Sequence, residues 1–326
     1  RLFIHEDAFK LTTQGVPFSI DNFYSPDEKL VSFFGRVNYD YKDKYQLTGV
    51  YRADGSSKFL GDNVWGYFPS VSAGWYISKE SFMQNFQNVV NFLKIRASYG
   101  VAGNNNINVG QTARIFESRN TAWINNVDNF WAAGSRMPNP DLRWETTITR
   151  NVGLDFGFLQ GRIDGSVELY KNVTEDALVD FPVQGSGYST QFRNMGDVEN
   201  KGVEVSLNTI LIDKPDYGLN FNFNIGLNRN KVISLGDVDQ IFSNTNWAST
   251  QIGADYFVVP GKPIGAMFGY VNDGRYEVSD FDYNAETDEY TLRNGVVDSE
   301  VLTVRPGMMK LKDIDGDGVV TTADQD

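Results

Sequence analysis

Near the end of the sequence, Asp313, Asp315 and Asp317 alternate with Ile314 and Gly316, and Gly318, Val319, Thr321 and Asp324 follow. Carboxylates at every second position of a tight loop converge as hard oxygen ligands. Glycine permits the sharp bend, the Val319 carbonyl adds a ligand, and Asp324 falls at the closing position of the set. This spacing predicts a calcium-type loop over 313–324, with Ca2+ as a structural ion that braces a loop. Aspartate in the closing place, where an EF-hand carries glutamate, gives a shorter reach, as in dockerin-like loops. The plainer alternative is a solvated acidic turn.

Other candidate chemistry is sparse. Trp123, Trp131 and Trp247 fall in long polar segments, where ring faces can stack on a sugar or peptide or simply pack the loop. Asn104, Asn105, Asn106 and the asparagines between 220 and 228 offer amides to a polar cargo, or form a wetted wall. The chain has no cysteine and one histidine, His5, so thiol and histidine-metal catalysis cannot be assembled. Gly185-Ser186-Gly187 lacks the strand-turn-helix setting of a phosphate cradle. The inventory predicts a protein that is not an enzyme. A formal net charge of -13 excludes nucleic acid as a main partner.

The elements that must position these residues read as strands. Leu219, Phe221, Phe223, Ile225 and Leu227 alternate with Asn220, Asn222, Asn224 and Gly226. Period-two alternation of large apolar against amide side chains suits a strand with lipid on one face and water on the other. Similar runs occur at 31–41, 45–52, 67–77, 93–99, 152–158, 163–169 and 203–207, with a weaker one at 263–276, about nine strands in all. Short turns at Lys42–Lys44, Gln160-Gly161 and 213–216 alternate with long polar connections at 102–142, 174–198 and 232–262, and 85–91 reads as a short helix or turn. Such asymmetry characterises outer-membrane barrels. Trp65, Tyr67, Trp75 and Tyr76 read as an interfacial girdle.

The stretch from Asp54 to Met83 (DGSSKFLGDNVWGYFPSVSAGWYISKESFM), LKIRASYGVAGN (Leu93 to Asn104), NKGVEVSLN (Asn200 to Asn208) and DIDGDGVVTTADQD (Asp313 to Asp326) resemble, in order, landmarks of the SusC/RagA family of TonB-dependent outer-membrane transporters of Bacteroidota. The resemblance implies an all-β fold, an antiparallel transmembrane segment of a 22-stranded plugged barrel with long extracellular loops. It implies import of a glycan or peptide with a SusD-like lipoprotein and the TonB-ExbB-ExbD complex, in contact with outer-membrane lipid and lipopolysaccharide. On this reading residues 1–326 are part of one barrel, with plug and final strands elsewhere, so ordered strands should form an open arc. The competing reading is a calcium-binding surface adhesin or β-sandwich.

Overall fold

In the computed structural model the described residues are 28–114, 116–120, 129–183, 185–245 and 254–326. They divide into two compact units, the first ending at Asn228 and the second comprising Arg229–Asp326.

The first unit is built on one antiparallel sheet: β1 (Leu30–Tyr41), β2 (Tyr45–Ser56), β3 (Trp65–Tyr76), β4 (Val90–Asn104), β5 (Glu145–Phe158), β6 (Ile163–Glu175), β7 (Asp197–Asp213) and β8 (Gly218–Ser234). The strands follow one another in sequence order, and the sheet does not close from β8 back to β1. The arc is therefore open, as expected, and it is a single sheet rather than the two packed layers of a sandwich. Eight of the nine expected strands are present. The weak run at 263–276 instead yields only the short strands Ala266–Met267 and Asn272–Arg275. Its alternation is interrupted by Pro263, Gly265 and Gly269, which favour turns over a long ladder.

The sheet's connections fall into two classes. Two positive-φ residues, Lys42 and Asp43, carry the tight turn between β1 and β2, which is the hairpin geometry that matches strand twist. Leu159 to Gly161 turn β5 into β6, and a short segment joins β7 to β8. Between β3 and β4, the 3-10 helices Ile77–Lys79 and Ser81–Phe86 are followed by a turn at 87–89, so a short helix end and a turn fall within the span 85–91 where one or the other was expected. At the opposite end, β4 and β5 are joined through the hairpin Phe116–Asn120/Asn129–Ala133, and β6 and β7 through Leu178–Pro182/Thr190–Asn194. No described helix is long and apolar enough to cross a membrane.

The outer face decides the solvent. Phe33, Val37, Tyr39, Leu47, Tyr67, Leu169, Phe221 and Leu227 are each between 49% and 70% exposed. On the order of twenty such side chains share this face, and each costs ~1.5–3 kcal/mol when left in water. That total exceeds the ~5–15 kcal/mol stability of a domain, so the face is matched to lipid. Trp65 and Trp75 both point outward at the two ends of β3, which spans Trp65–Tyr76. At ~3.3 Å per residue and a strand tilt near 40°, their separation corresponds to an apolar band ~25 Å tall, the thickness flanked by barrel girdles. Trp75 stacks on Tyr45, and Trp65 on Phe33. Tyr76 departs from the girdle expectation. Its successive-residue parity turns it to the inner face, where its ring lies 4.5 Å beneath Lys94 Nζ.

Glu80 locks the short-turn end. Its carboxylate accepts from Lys44 Nζ at 2.8 Å, Tyr45 Oη at 2.7 Å and Trp75 Nε1 at 3.1 Å. These bonds, led by that from Lys44, lower the Glu80 pKa to about 2. Because the folded value is depressed, the stabilisation is fully present above the ordinary value of 4.5 and is lost as pH falls through about 2. The melting-temperature gap between wild type and Glu80→Gln should therefore be constant above pH 4.5 and narrow towards pH 2. A gap independent of pH would show that the carboxylate's charge is not what holds the turn.

At the long-connection end, Phe59, Phe68, Leu142, Trp144 and Ile107 form a buried cluster, with Val101, Leu178 and Phe192 packed against it. Phe68 stands on the inner, otherwise polar, face of β3. Gly66 and Gly103 leave room for its ring: a Cβ on either would lie within 2.4 Å and 1.9 Å of it.

Beyond the end of β8, the described strands of the second unit are all short, among them Ile241–Ser243, Tyr256–Val258, Phe281–Asn284, Glu289–Leu292 and Met309–Leu311. None approaches the ~9–11 residues needed to cross a bilayer. Its core includes Tyr276, Phe281, Leu311 and Val320, and the Tyr276 hydroxyl donates to the Val297 carbonyl at 2.8 Å.

Candidate functional site

Two arrangements carry chemistry: the inner wall of the sheet and the acidic loop of the second unit. The wall follows from alternation, since residues opposite the lipid face must point inward. Arg36, Asn38, Gln46, Thr48, Lys94 and Arg96 border a recess of about 530 Å³. Asn151, Glu168, Tyr170, Asn172, Asn200 and Asn228 border another of about 390 Å³. The Tyr170 hydroxyl donates to Asn228 Oδ1 at 3.1 Å across Gly202, where a Cβ would collide with that hydroxyl.

Arg96 organises the middle of the wall. Its guanidinium lies over Gly153, reaches Asp155 at 3.1 Å and Glu168 at 2.6 Å, and so ties β4, β5 and β6 together. Asn151 donates to the same Glu168 oxygen at 2.8 Å. Arg96→Met leaves two neighbouring carboxylates without their shared cation, and half-exposure moderates the cost to roughly 1–2 kcal/mol. Glu168→Gln in the Arg96→Met background should recover part of it. A double-mutant cycle in chemical denaturation measures the coupling, and additive losses would dissolve the network.

Asn104, Asn105 and Asn228, among the amides singled out in the sequence, have structural partners. Asn104 donates to Glu145 at 2.9 Å and Asn105 to the buried Ser56 hydroxyl at 3.0 Å. Trp123 and Trp247 lie outside the described residues, and Trp131 falls in the strand Asn129–Ala133, opposite Ser118. His5 also lies outside them.

The acidic loop folds on itself. Asp313, Asp315 and Asp317 bring one carboxylate oxygen each within 4.8 Å of one another. Asp313 accepts the Gly316 and Gly318 amides at 2.7 and 2.8 Å, Asp315 that of Asp317, and Asp317 that of Val319. Val319 and Val320 form a strand parallel to Asp298–Ser299. Asp324 is fully buried outside the three-carboxylate group and accepts the amides of Ile314, Asp315 and Thr321. The Thr321 and Ile314 amides hold its carboxyl below the usual range. Asp315 is raised: the Asp317 amide pulls it down, but desolvation and the charges of Asp317, Asp324 and Asp313 outweigh that pull. Crowded like charges of this kind suit a hard cation.

A family model described as "TonB dependent receptor-like, beta-barrel" matches residues 4–302. The chain belongs to this family. Members of this barrel family reside in the outer membrane, where the lipid-facing band of the sheet places the chain. Among relatives, TonB-dependent receptor P26 of Formosa agariphila is 35% identical over 91% of this chain and 28% of its own length. TonB-dependent receptor SusC of Bacteroides thetaiotaomicron is 35% identical over 75% of this chain and 27% of its own length. The chain thus spans little more than a quarter of these relatives. In fold, it is similar to the RagAB peptide transporter, with a TM-score of 0.68 and 24% identity over 76% of this chain and 26% of that one. The expected family and barrel architecture are borne out.

Sequence reasoning missed the cluster around Phe68 and Trp144. Its signal was present in the pair Tyr67-Phe68, which breaks alternation between Gly66 and Pro69.

Proposed function

We propose that this chain supplies eight strands of the wall of an active importer, which moves a glycan or peptide nutrient across the outer membrane. The observation that carries the reading is the two-sidedness of the sheet: an apolar outer face, and an inner face of amides, hydroxyls and paired charges. A hydrated wall lets a polar solute pass without burying its hydrogen-bonding groups unpaired. Peptide is supported by the likeness in fold to a peptide transporter. Import would draw on the TonB-ExbB-ExbD complex through a plug and use a SusD-like lipoprotein at the mouth, in keeping with the family. The test is uptake of labelled oligosaccharide and oligopeptide by cells carrying the full-length protein, with and without TonB. TonB-dependent accumulation of either is expected. Accumulation of neither, or uptake that is indifferent to TonB, would refute the proposal.

For the acidic loop we propose Ca2+ binding by Asp313, Asp315 and Asp317 with the Val319 carbonyl. Asp324 would close the loop through backbone amides. The role is structural, and its support is the convergence of three carboxylates.

A further inference from the structure

Alternation fixes which charges face the interior, and the strands share them unevenly. Every inward-facing cation of the eight-stranded sheet stands on β1, β2 or β4: Arg36, Arg52, Lys94 and Arg96. On β5, β6 and β7 the inward charges are all acidic, namely Glu145, Asp155, Asp164, Glu168 and Glu204, and β8 presents none. The inner wall of a chain whose formal net charge is -13 thus has a basic side.

Two of the cations are neutralised in place. Arg52 meets Asp54 at 2.6 Å, and Arg96 meets Asp155 and Glu168. Arg36 and Lys94 are held differently. Arg36 Nε donates to Asn38 Oδ1 at 2.9 Å, and the Thr48 hydroxyl donates to the same oxygen at 3.0 Å. Lys94 Nζ donates to Gln46 Oε1 at 3.0 Å and to Tyr76 Oη at 3.2 Å. It reaches Gln46 by crossing β3 over Gly74, where a Cβ would stand 3.0 Å from Lys94 Cε. Neither cation forms an ion pair with a carboxylate among the described residues. Neutral acceptors aim a cation without cancelling its charge, an arrangement that an anion site needs and a structural salt bridge lacks.

Both cations border the recess of about 530 Å³, Arg36 from β1 and Lys94 from β4. Three strand spacings separate those strands, about 14 Å, a span that an extended peptide covers in about four residues. Successive carboxylates of one chain suit that spacing better than a single small anion. Asp40 borders the same recess and offsets one charge, which leaves the excess positive.

We infer that Arg36 and Lys94 form a carboxylate subsite on the inner wall, which makes the importer selective for acidic oligopeptides. The inference rests on the proposed import and names its cargo class. A carboxylate in the recess gains charge-assisted bonds in exchange for those it made to water, whereas an amide in its place gains only weaker ones.

The test is TonB-dependent uptake, by cells carrying the full-length protein, of two labelled oligopeptides that differ only in glutamate or glutamine at alternate positions, both amidated at the C-terminus. Wild type should accumulate the glutamate peptide roughly fivefold faster. R36Q/K94Q should bring that ratio to about one, and R36K/K94R, which keeps both charges, should preserve most of it. R36Q alone changes an exposed side chain and should lower the ratio by itself. Wild type and R36Q decide the matter if the double variant does not reach the membrane. Equal rates for the two peptides in wild type overturn the subsite and leave import standing, as does entry of a labelled oligosaccharide but of neither peptide. A ratio unchanged in R36Q/K94Q, whatever happens to the rates, shows that the cations serve another part of the barrel's interior and also overturns it. Uptake of none of the three removes the import reading and the subsite together.

Discussion

Trp144→Ala is expected to cost ~3–5 kcal/mol, the range for removing a large aromatic from a packed core. Trp144 is 8% exposed, its ring centroid is 5.4 Å from those of both Phe59 and Phe68, and its Nε1 donates to the Val64 carbonyl at 3.1 Å. The substitution removes the centre of a cluster drawn from β3 and from the connections after β2 and β4, and leaves a carbonyl unpaired. Because the cluster lies at the long-connection end, the lipid-facing strands should persist while those connections loosen. Limited proteolysis of the full-length protein in detergent should reveal early cleavage within 105–144 and 176–196. Cleavage confined to other segments would show that the cluster does not hold them.

The same cluster makes Gly103 intolerant. A Cβ there would sit 1.9 Å from Phe68 Cζ, so Gly103→Ala forces the ring or the strand aside at ~1–3 kcal/mol. Phe68→Leu should relieve part of that strain, and the two changes should couple because they compete for one space. Around the cluster, polar clasps join the connections. Arg143 grips Asp176 through two bonds of 3.0 and 2.5 Å, and Asn194 donates to the carbonyls of Arg143 and Asp176. The walls of the mouth are thus braced against one another.

Much of this architecture was legible because a barrel strand writes its environment on alternate residues. The run Leu219 to Leu227 names its own lipid face without reference to any partner. The open arc followed from the number of strands. The features that escaped depend on register or on distant residues meeting. Arg36 and Lys94 stand on β1 and β4, and only pairing brings them to the border of one recess. Phe59 comes from the connection after β2, Ile107 and Leu142 come from opposite ends of the one after β4, and the three show no period. The hairpins within those connections have strands of five residues, too short for alternation to stand out from polar loop sequence. At the acidic loop, spacing identified which carboxylates converge, but it could not reveal that Asp324 turns to the amides of Ile314 and Thr321.

That difference gives the calcium proposal its sharpest test, because two kinds of aspartate should fail in two ways. Saturating Ca2+ should raise the melting temperature of the second unit's transition in the full-length protein, by roughly 10 °C at a hundredfold excess over the dissociation constant. Chelation should reverse the rise. Asp315→Asn removes a charge from the three-carboxylate group while sparing most of the backbone hydrogen bonds, so it should abolish most of the calcium response with little change to the calcium-free transition. Asp324→Ala removes the acceptor of three amides from a fully buried site. It should lower the calcium-free transition itself, and calcium should not restore it, since the cation attracts carboxylates and leaves those amide donors unpaired. A transition indifferent to both calcium and chelator would reduce the loop to a self-capped acidic turn. Equal behaviour of the two variants would erase the division of labour between ligands and closing carboxylate.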